Sequence, residues 1–219
     1  MLMDHYAAYR IRLRTPRLEL RLPDLNDLAR LADIAADGVH DPGWMPFTVP
    51  WTDAPPAVRG RSVITYNMAV IAAATPDNWH LPFCVLAGEV PVGLQDVGAR
   101  DFGVLREVNT GSWLGQRFQG TGIGTEMRAA VLHLAFEGLG AEYAVSAAHI
   151  DNAASNGVSR KLGYVPDGFD RIVARGEAVA HGRYRLDRAA WLAHRTVPVT
   201  IDGLTDACLA DLGAVGVVA

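Results

Sequence analysis

The alternation of apolar and polar residues predicts the first elements of the chain. Over 14–21 two leucines alternate with charged residues, which is typical of a half-buried β-strand. Asp24 or Asn26 can then cap a helix that runs to about Asp37. A helical period gives this segment an apolar stripe on one side, formed by Leu25, Leu28, Leu31, Ile34 and Ala35.

The same patterns predict strands that precede and alternate with helices along the rest of the chain. Such an order indicates an α/β fold with a sheet of mixed strand direction. Further helices are predicted over 57–74, from the end of a glycine-rich loop to Glu137, and over 152–162. Strands are predicted at 81–88, 90–98, 106–114, 142–150, 164–174 and 178–187, and the tail has a helix around Trp191 and a strand at Val197–Ile201.

Residues 38–56 form a long irregular segment with five prolines and two glycines. Loops of this length in compact domains tend to be functional or disordered, and the three large aromatics Trp44, Phe47 and Trp51 argue against disorder. We therefore expect these aromatics to form a wall of a substrate site. Asp41 in the same loop is a candidate for binding an ammonium group, with a solvated turn residue as the alternative.

The composition and charge of the chain argue against several classes of protein. The chain has 219 residues and a formal net charge of −4, which suits a single domain over 1–219 and no general nucleic-acid binding. The longest apolar run is too short to span a bilayer, and the first residues lack a signal-peptide pattern. Cys84 and Cys208 are far apart and lack CxxC spacing, so we expect no disulfide and a cytoplasmic protein. The seven histidines lack the spacing of metal ligands, so we expect no metal.

The candidate chemistry concentrates in the glycine-rich loop Gln119–Gly124, between a predicted strand and a helix. Glycines let successive N–H groups turn toward one anion, and the helix N-terminus adds positive potential. A P-loop is excluded because Thr125 and Glu126 follow the last glycine. The dinucleotide fingerprint also fails at Thr125, which leaves the pattern Q/R-x-x-G-x-G/A or a plain glycine-rich turn.

Several stretches resemble the GNAT superfamily of acyl-CoA N-acyltransferases, in particular its ribosomal-protein N-terminal acetyltransferases. The segment 14–21 is similar to the opening strand of that branch. Residues 111–114 and 119–127 resemble its strand, loop and helix for coenzyme A (CoA). Residues 151–156 and 160–164 resemble its later strand-to-helix junction. These stretches occur in the order of the family.

The resemblance implies the GNAT fold, an α/β (α+β) arrangement with a central mixed, mostly antiparallel sheet flanked by helices. Its core would cover about 13–192, followed by a C-terminal extension over 193–219. Strands 106–114 and 142–150 would splay apart to admit the pantetheine of acetyl-CoA or another acyl-CoA. The implied CoA-binding residues are Trp113, Leu114, Gln119, Gly120, Thr121, Gly122, Ile123, Gly124, Thr125, Asn152, Ser155 and Arg160, although a surface role is an equal alternative for Arg160.

The resemblance also implies direct attack of an amine on the thioester. In this branch a serine matching Ser155 hydrogen-bonds the CoA sulfur, with Asn152 beside it; helix capping is the alternative for both. The general base is open. Glu107 is a candidate although its register differs by two from the family's glutamate. His149 has a suitable intrinsic pKa, but a lone histidine at a strand end is more often structural. Seven residues after Asn152 stands Ser159, so no acid tyrosine is predicted there.

We therefore expect an N-acyltransferase that moves an acetyl or succinyl group onto a primary amine, either a protein N-terminus or a small molecule. Function depends on the site more than on the fold, so the resemblance does not choose the acceptor. The main alternative is a CoA-binding regulatory or interaction module without turnover, and a dinucleotide-binding enzyme is a weaker one. A homodimer is compatible with these observations.

Overall fold

The computed structural model describes residues 2–216; Met1 and residues 217–219 of the predicted extension lie outside them. The strands are β1 Arg12–Arg14, β2 Leu18–Arg21, β3 Asn78–Ala87, β4 Val90–Arg100, β5 Glu107–Leu114, β6 Tyr143–His149, β7 Val165–Ala174, β8 Glu177–Asp187 and β9 Thr200–Asp202. The helices are α1 Leu2–His5, α2 Leu25–Asp37, α3 Pro56–Ala72, α4 Phe102–Leu105, α5 Ile123–His133, α6 Ala153–Lys161, α7 Arg188–His194 and α8 Asp206–Asp211.

The nine strands form one sheet in the order β7-β8-β6-β5-β4-β3-β2-β1-β9. Every neighbouring pair is antiparallel except β5 and β6, which are parallel. This arrangement confirms the predicted mixed, mostly antiparallel sheet. The parallel pair stands in the middle of the sheet, where the chain crosses over through α5.

The opening segment corrects one prediction. Residues 14–21 are not a single strand, because β1 ends at Arg14 and β2 begins at Leu18 to form a tight hairpin. Pro16 has no N–H to donate to a ladder, and the Thr15 N–H donates to the Leu18 carbonyl at 2.9 Å to close the turn. The leucine alternation therefore describes only the second arm of the hairpin.

The sheet is covered on both faces, and β3 shows this most clearly. Leu81, Phe83 and Val85 belong to the main core that includes α5. Cys84 and Leu86 point to the other face and pack with residues of α2 and α3. This burial on both sides explains the continuous apolar run of β3, and it raises the pKa of the Cys84 thiol to about 12.

Helix α2 begins as predicted at Asp24, whose side chain forms a reciprocal capping box with Asp27. Leu25, however, is 70% exposed and does not belong to the buried stripe. It is the first helical residue, and its direction lies well away from the centre of the arc that the other four apolar residues share. The buried members are Leu28, Leu31, Ile34 and Ala35.

A helical period in the sequence predicts one apolar stripe for α5, formed by Ile123, Met127, Ala130, Val131 and Leu134. The stripe is confirmed, since all five residues are buried. The regular helix ends at His133 and continues as one π-helical turn to Gly138. In the tail, α7 forms around Trp191 as predicted, and the strand expected at Val197–Ile201 begins at Thr200, where β9 pairs with β1. No helix of the described residues is long and apolar enough to span a membrane.

Candidate active site

The site opens where the two parallel strands diverge. β5 and β6 pair only from Glu107 and Tyr143 to Asn109 and Val145, although both strands continue beyond that point. The predicted splay is therefore present. It opens a cleft of about 480 Å³. The lining comes from the second half of β5, the end of β6, the glycine-rich loop, the start of α5, one face of α6, His181 of β8 and the loop after α2.

The glycine-rich loop forms one end of the cleft. Gly120 and Gly122 have left-handed φ angles of 74° and 85°, and Gly122 is the N-cap of α5. The first N–H groups of a helix lack intrahelical acceptors, and this helix start lies at the cleft together with the positive end of the helix dipole. Gly120, Gly122, Gly124 and Thr125 all line the cleft. The arrangement suits a phosphate group.

Side chains of the loop hold it in shape. The amide nitrogen of Gln119 donates to the carbonyls of Val39 at 2.7 Å and Leu114 at 3.0 Å, so Gln119 joins the loop to β5 and to the segment after α2. The Thr121 hydroxyl donates to the Phe118 carbonyl at 2.9 Å. Thr121 does not line the cleft, and its contribution is to the turn itself.

An ion pair between the half-exposed Arg17 and the buried Glu126, which the sequence analysis missed, anchors the start of α5. Arg17 donates to Glu126 through Nε at 2.6 Å and to the Thr121 carbonyl at 3.1 Å, and Thr15 donates to the same carboxylate at 2.6 Å. Burial of Glu126 opposes ionisation, but the hydrogen bonds from Thr15 and Arg17 outweigh it and lower the pKa of that carboxyl. The hairpin turn between β1 and β2 thus fixes the anion-facing loop.

Of the remaining residues expected to bind CoA, some line the cleft and others do not. Trp113 and Leu114 line the cleft, whereas Ile123 is 9% exposed and packs in the core beneath the loop. Arg160 is exposed and lies outside the cleft lining, while its neighbour Lys161 is part of it. Lys161 is therefore the cation of α6 that lines the cleft.

Asn152 and Ser155 lie together at the start of α6, and both line the cleft. Asn152 is the N-cap, and its side-chain oxygen accepts from the backbone N–H of Ser155 at 3.0 Å. The cap therefore uses the backbone of Ser155 and leaves its hydroxyl out. Among the described residues that hydroxyl makes no hydrogen bond, so it is available to a group in the cleft.

The candidate bases lie in different surroundings. Glu107 is outside the cleft lining, and its carboxylate forms a 2.5 Å ion pair with Arg185. His149 is 2% exposed and also outside the lining, and its Nε2 has no hydrogen-bond partner among the described residues. His181 of β8, opposite His149 in the ladder, does line the cleft. Only the strand register brings these two histidines together, so the sequence analysis missed His181.

The loop after α2 forms the opposite wall. Trp44 and Phe47 line the cleft, and the indole N–H of Trp44 donates to Asp151 at 3.1 Å. Trp51 lies behind this wall, with ring centroids 5.3 Å from Phe47 and 5.8 Å from Trp113. Asp41 is exposed and outside the lining, where its carboxylate accepts from the Gly43 N–H at 2.8 Å.

The far end of the same loop is tied to the β7–β8 hairpin. Arg175 at the hairpin tip forms a bidentate ion pair with Asp53, at 2.5 and 2.9 Å, and donates to the Pro42 carbonyl at 3.2 Å. Together with the bond from Trp44 to Asp151, these contacts hold the aromatic loop across the sheet.

The least expected group in the cleft is the guanidinium of Arg128. It projects from α5 into the gap between the splayed strands, is 4% exposed and still contributes to the cleft lining. Its neighbours are hydroxyls: Arg128 donates to Ser146, Ser159 and Ser112 at 3.2 to 3.3 Å. Its Nε has no partner, and the described residues provide no carboxylate to pair with it.

Burial disfavours the cationic form of Arg128 and lowers its pKa, although arginine stays protonated in proteins. Three neutral hydroxyls do not neutralise a buried cation. One feature of the sequence could have identified Arg128: it is a charged residue on the same helix face as Gly124 and Val131, which is the buried face of α5. A buried arginine is uncommon unless it is paired with an anion.

Comparison with known proteins agrees with this geometry. Residues 17–165 match the family described as the acetyltransferase (GNAT) domain. Mycobacterium smegmatis RimJ, solved with a CoA disulfide, is 21% identical with a TM-score of 0.69, over 87% of this chain and 97% of that one.

Two further solved structures share the fold. The ribosomal L7/L12 acetyltransferase RimL, solved with coenzyme A, is 19% identical with a TM-score of 0.64, over 80% of this chain and 97% of that one. A GCN5-related N-acetyltransferase from Brucella melitensis is 18% identical with a TM-score of 0.64, over 84% and 81% of the two chains. Since the family match covers more than half of the sequence, this chain belongs to the GNAT acetyltransferase domain family and is an acyl-CoA-dependent N-acyltransferase.

Proposed function

We propose that this protein transfers a carboxylate-bearing acyl group, with succinyl as the simplest example, from acyl-CoA to a primary amine. The pyrophosphate of the donor would occupy the loop at Gly120 to Gly124, and its pantetheine arm the gap between β5 and β6. The amine, from a protein N-terminus or a small molecule, would approach along the wall of Trp44 and Phe47. The proposal rests on the family and on the position of Arg128.

The chemistry requires positioning more than reactive side chains. The amine nitrogen attacks the thioester carbonyl directly, so no covalent enzyme intermediate is needed. The free hydroxyl of Ser155 is placed to donate a hydrogen bond to the departing sulfur, and Asn152 holds the backbone of Ser155 in place. No cluster of three potential metal ligands occurs among the described residues, and the proposed steps use none.

Arg128 is the observation that favours a carboxylate on the acyl group. An acetyl group would leave the buried guanidinium without a counterion, which is costly in a site of low dielectric. A carboxylate beyond the thioester would pair with it and supply the missing counterion. The serines at 112, 146 and 159 would then orient the guanidinium, as hydroxyl neighbours do in charge-assisted sites.

Turnover itself separates this function from a silent CoA-binding module. Purified protein should release free thiol from succinyl-CoA when given a panel of primary amines that includes N-terminal peptides and small amines. Mass spectrometry of the products would identify the accepted amine. Tight binding of acyl-CoA without amine-dependent thiol release across the panel would instead support the binding module.

Gly122→Val should weaken CoA binding at least about tenfold, because a β-branched residue does not tolerate a φ of 85° and would reshape the anion-facing loop. Its new Cβ would also stand 3.4 Å from the Arg17 guanidinium. Gly88→Val is the matched control, since Gly88 has a φ of 62° in the turn between β3 and β4, away from the cleft. Calorimetry on both folded variants checks this; equal CoA affinities would contradict the loop assignment.

Trp44→Ala should raise the KM for the amine several-fold and leave the KM for acyl-CoA nearly unchanged, because it removes cleft wall on the acceptor side. Trp51→Ala provides the control within the same loop. Trp51 is packed behind the wall, so its loss should lower the melting temperature more than it changes either KM. Steady-state kinetics and melting curves of both variants test this prediction. An unchanged KM for the amine in Trp44→Ala would show that Trp44 is not part of the amine-binding wall.

A further inference from the structure

We propose that His181 is the general base that accepts the proton of the attacking amine. This inference rests on the proposed amine acylation and adds the residue that the sequence analysis left open. As the C–N bond forms and the C–S bond breaks, the amine nitrogen loses a proton to the imidazole of His181. The CoA thiolate takes a proton from solvent, and His181 returns its own proton to solvent.

The position of His181 follows from the register of the sheet. His181 of β8 is directly opposite His149 of β6, and cross-strand partners project on the same face. The two rings meet edge to face with centroids 5.7 Å apart. Because side chains alternate along β6, this is the face opposite to Ser146 and hence opposite to Arg128. His181 therefore lies on the side of the sheet away from Arg128, and in this proposal the amine approaches from the side of His181.

The two histidines differ in their access to the cleft. His181 lines the cleft together with Ser155, Asn152 and Trp44, whereas His149 is fully enclosed behind it. His149 has a buried Nε2 with no partner in the described chain, so it offers no proton route to the cleft. It supports one side of the His181 ring. Glu107, the other earlier candidate, is paired with Arg185 outside the cleft.

The surroundings keep His181 in the state that a base requires. Burial lowers its pKa, His149 of β6 lowers it further, and Asp170 across the ladder in β7 opposes them without reversing the shift. These are the titratable groups that act on it from the two strands packed beside it. The imidazole is thus neutral at pH 7 and can accept a proton, and it becomes cationic as the pH falls.

The test compares His181→Gln with His149→Gln over a range of pH. In the wild-type protein, kcat/KM should fall on the acid side as His181 is protonated. His181→Gln should lower kcat by about 100-fold or more, remove that acid limb and leave acyl-CoA affinity within about threefold. His149→Gln should retain kcat within about tenfold. A His181→Gln protein with near-normal kcat and an unchanged pH profile would overturn the assignment.

A measurement on the unmodified protein covers the case in which a histidine variant does not fold. Diethylpyrocarbonate should modify His181 and not the enclosed His149, and activity should disappear in proportion to modification of His181 as mapped by peptide mass. Loss of activity that follows another histidine would refute the base role. If the wild-type protein releases no thiol from any donor and amine, the proposed function fails; if it turns over and His181 proves dispensable, only this inference fails.

Discussion

Replacing Arg128 with methionine is expected to abolish most use of succinyl-CoA while the protein remains folded. The acyl carboxylate would lose its only buried partner in the described cleft, and such losses cost roughly 2 to 4 kcal/mol, or roughly 30- to 1,000-fold in kcat/KM. Acetyl-CoA has no carboxylate to lose, so its kcat/KM should change by less than about fivefold. Initial rates with succinyl-CoA and with acetyl-CoA, both at one saturating amine concentration, give the two kcat/KM values to compare.

The same substitution makes an opposite prediction for stability. Arg128 is a buried cation without a counterion, and replacing such groups with apolar side chains of similar length is often neutral or stabilising by roughly 1 to 4 kcal/mol. The free energy of unfolding of Arg128→Met should therefore equal or exceed that of the wild-type protein. Arg128→Lys is the charge-retaining control and should keep part of the succinyl preference. A destabilised variant that uses both donors equally poorly would mean that Arg128 is structural.

Ser155→Ala is expected to lower kcat by roughly 10- to 1,000-fold, a range consistent with losing one donor to the leaving group. The interaction would be stronger in the transition state than with bound substrate, so acyl-CoA affinity should change little. The structure sharpens this prediction, because the α6 cap uses the backbone N–H of Ser155 and not its hydroxyl. Stopped assays measure kcat, and a binding isotherm on the same preparation measures the affinity for acyl-CoA.

Asn152→Ala separates capping from catalysis. It removes the N-cap oxygen of α6 and should lower stability by about 0.5 to 2 kcal/mol, whereas Ser155→Ala should leave the free energy of unfolding nearly unchanged. Comparing the melting temperature and kcat of the two variants therefore distinguishes the two roles. Near-normal turnover in Ser155→Ala would remove the leaving-group role and leave catalysis to positioning and solvent.

Much of the fold could be predicted from the sequence because it depends on local patterns. The capped helix after Asp24 and the buried stripe of α5 each have a short-range signature. The errors arose where one residue breaks a regular pattern. Pro16 divides the opening segment into two strands, and Leu25 lies at a helix start where the apolar arc has not begun.

The candidate site was only partly predictable, since its parts come from distant segments. The glycine-rich loop and the pair Asn152 and Ser155 have local motifs, and the structure brings them to one cleft. Arg128 and His181 have none. The sequence places Arg128 on the apolar face of α5 but does not show that it lacks a carboxylate partner. His181 becomes notable only when the register places it opposite His149.

The ratio of kcat/KM for succinyl-CoA to that for acetyl-CoA, measured on the wild-type protein with one amine, tests the central claim most directly. A charge-assisted pair between the acyl carboxylate and Arg128 should raise that ratio to about 10 or more. The Arg128→Met variant should bring it to about 1 or below. A wild-type ratio below 1 would contradict the account, because the buried guanidinium would then have no part in selecting the acyl group.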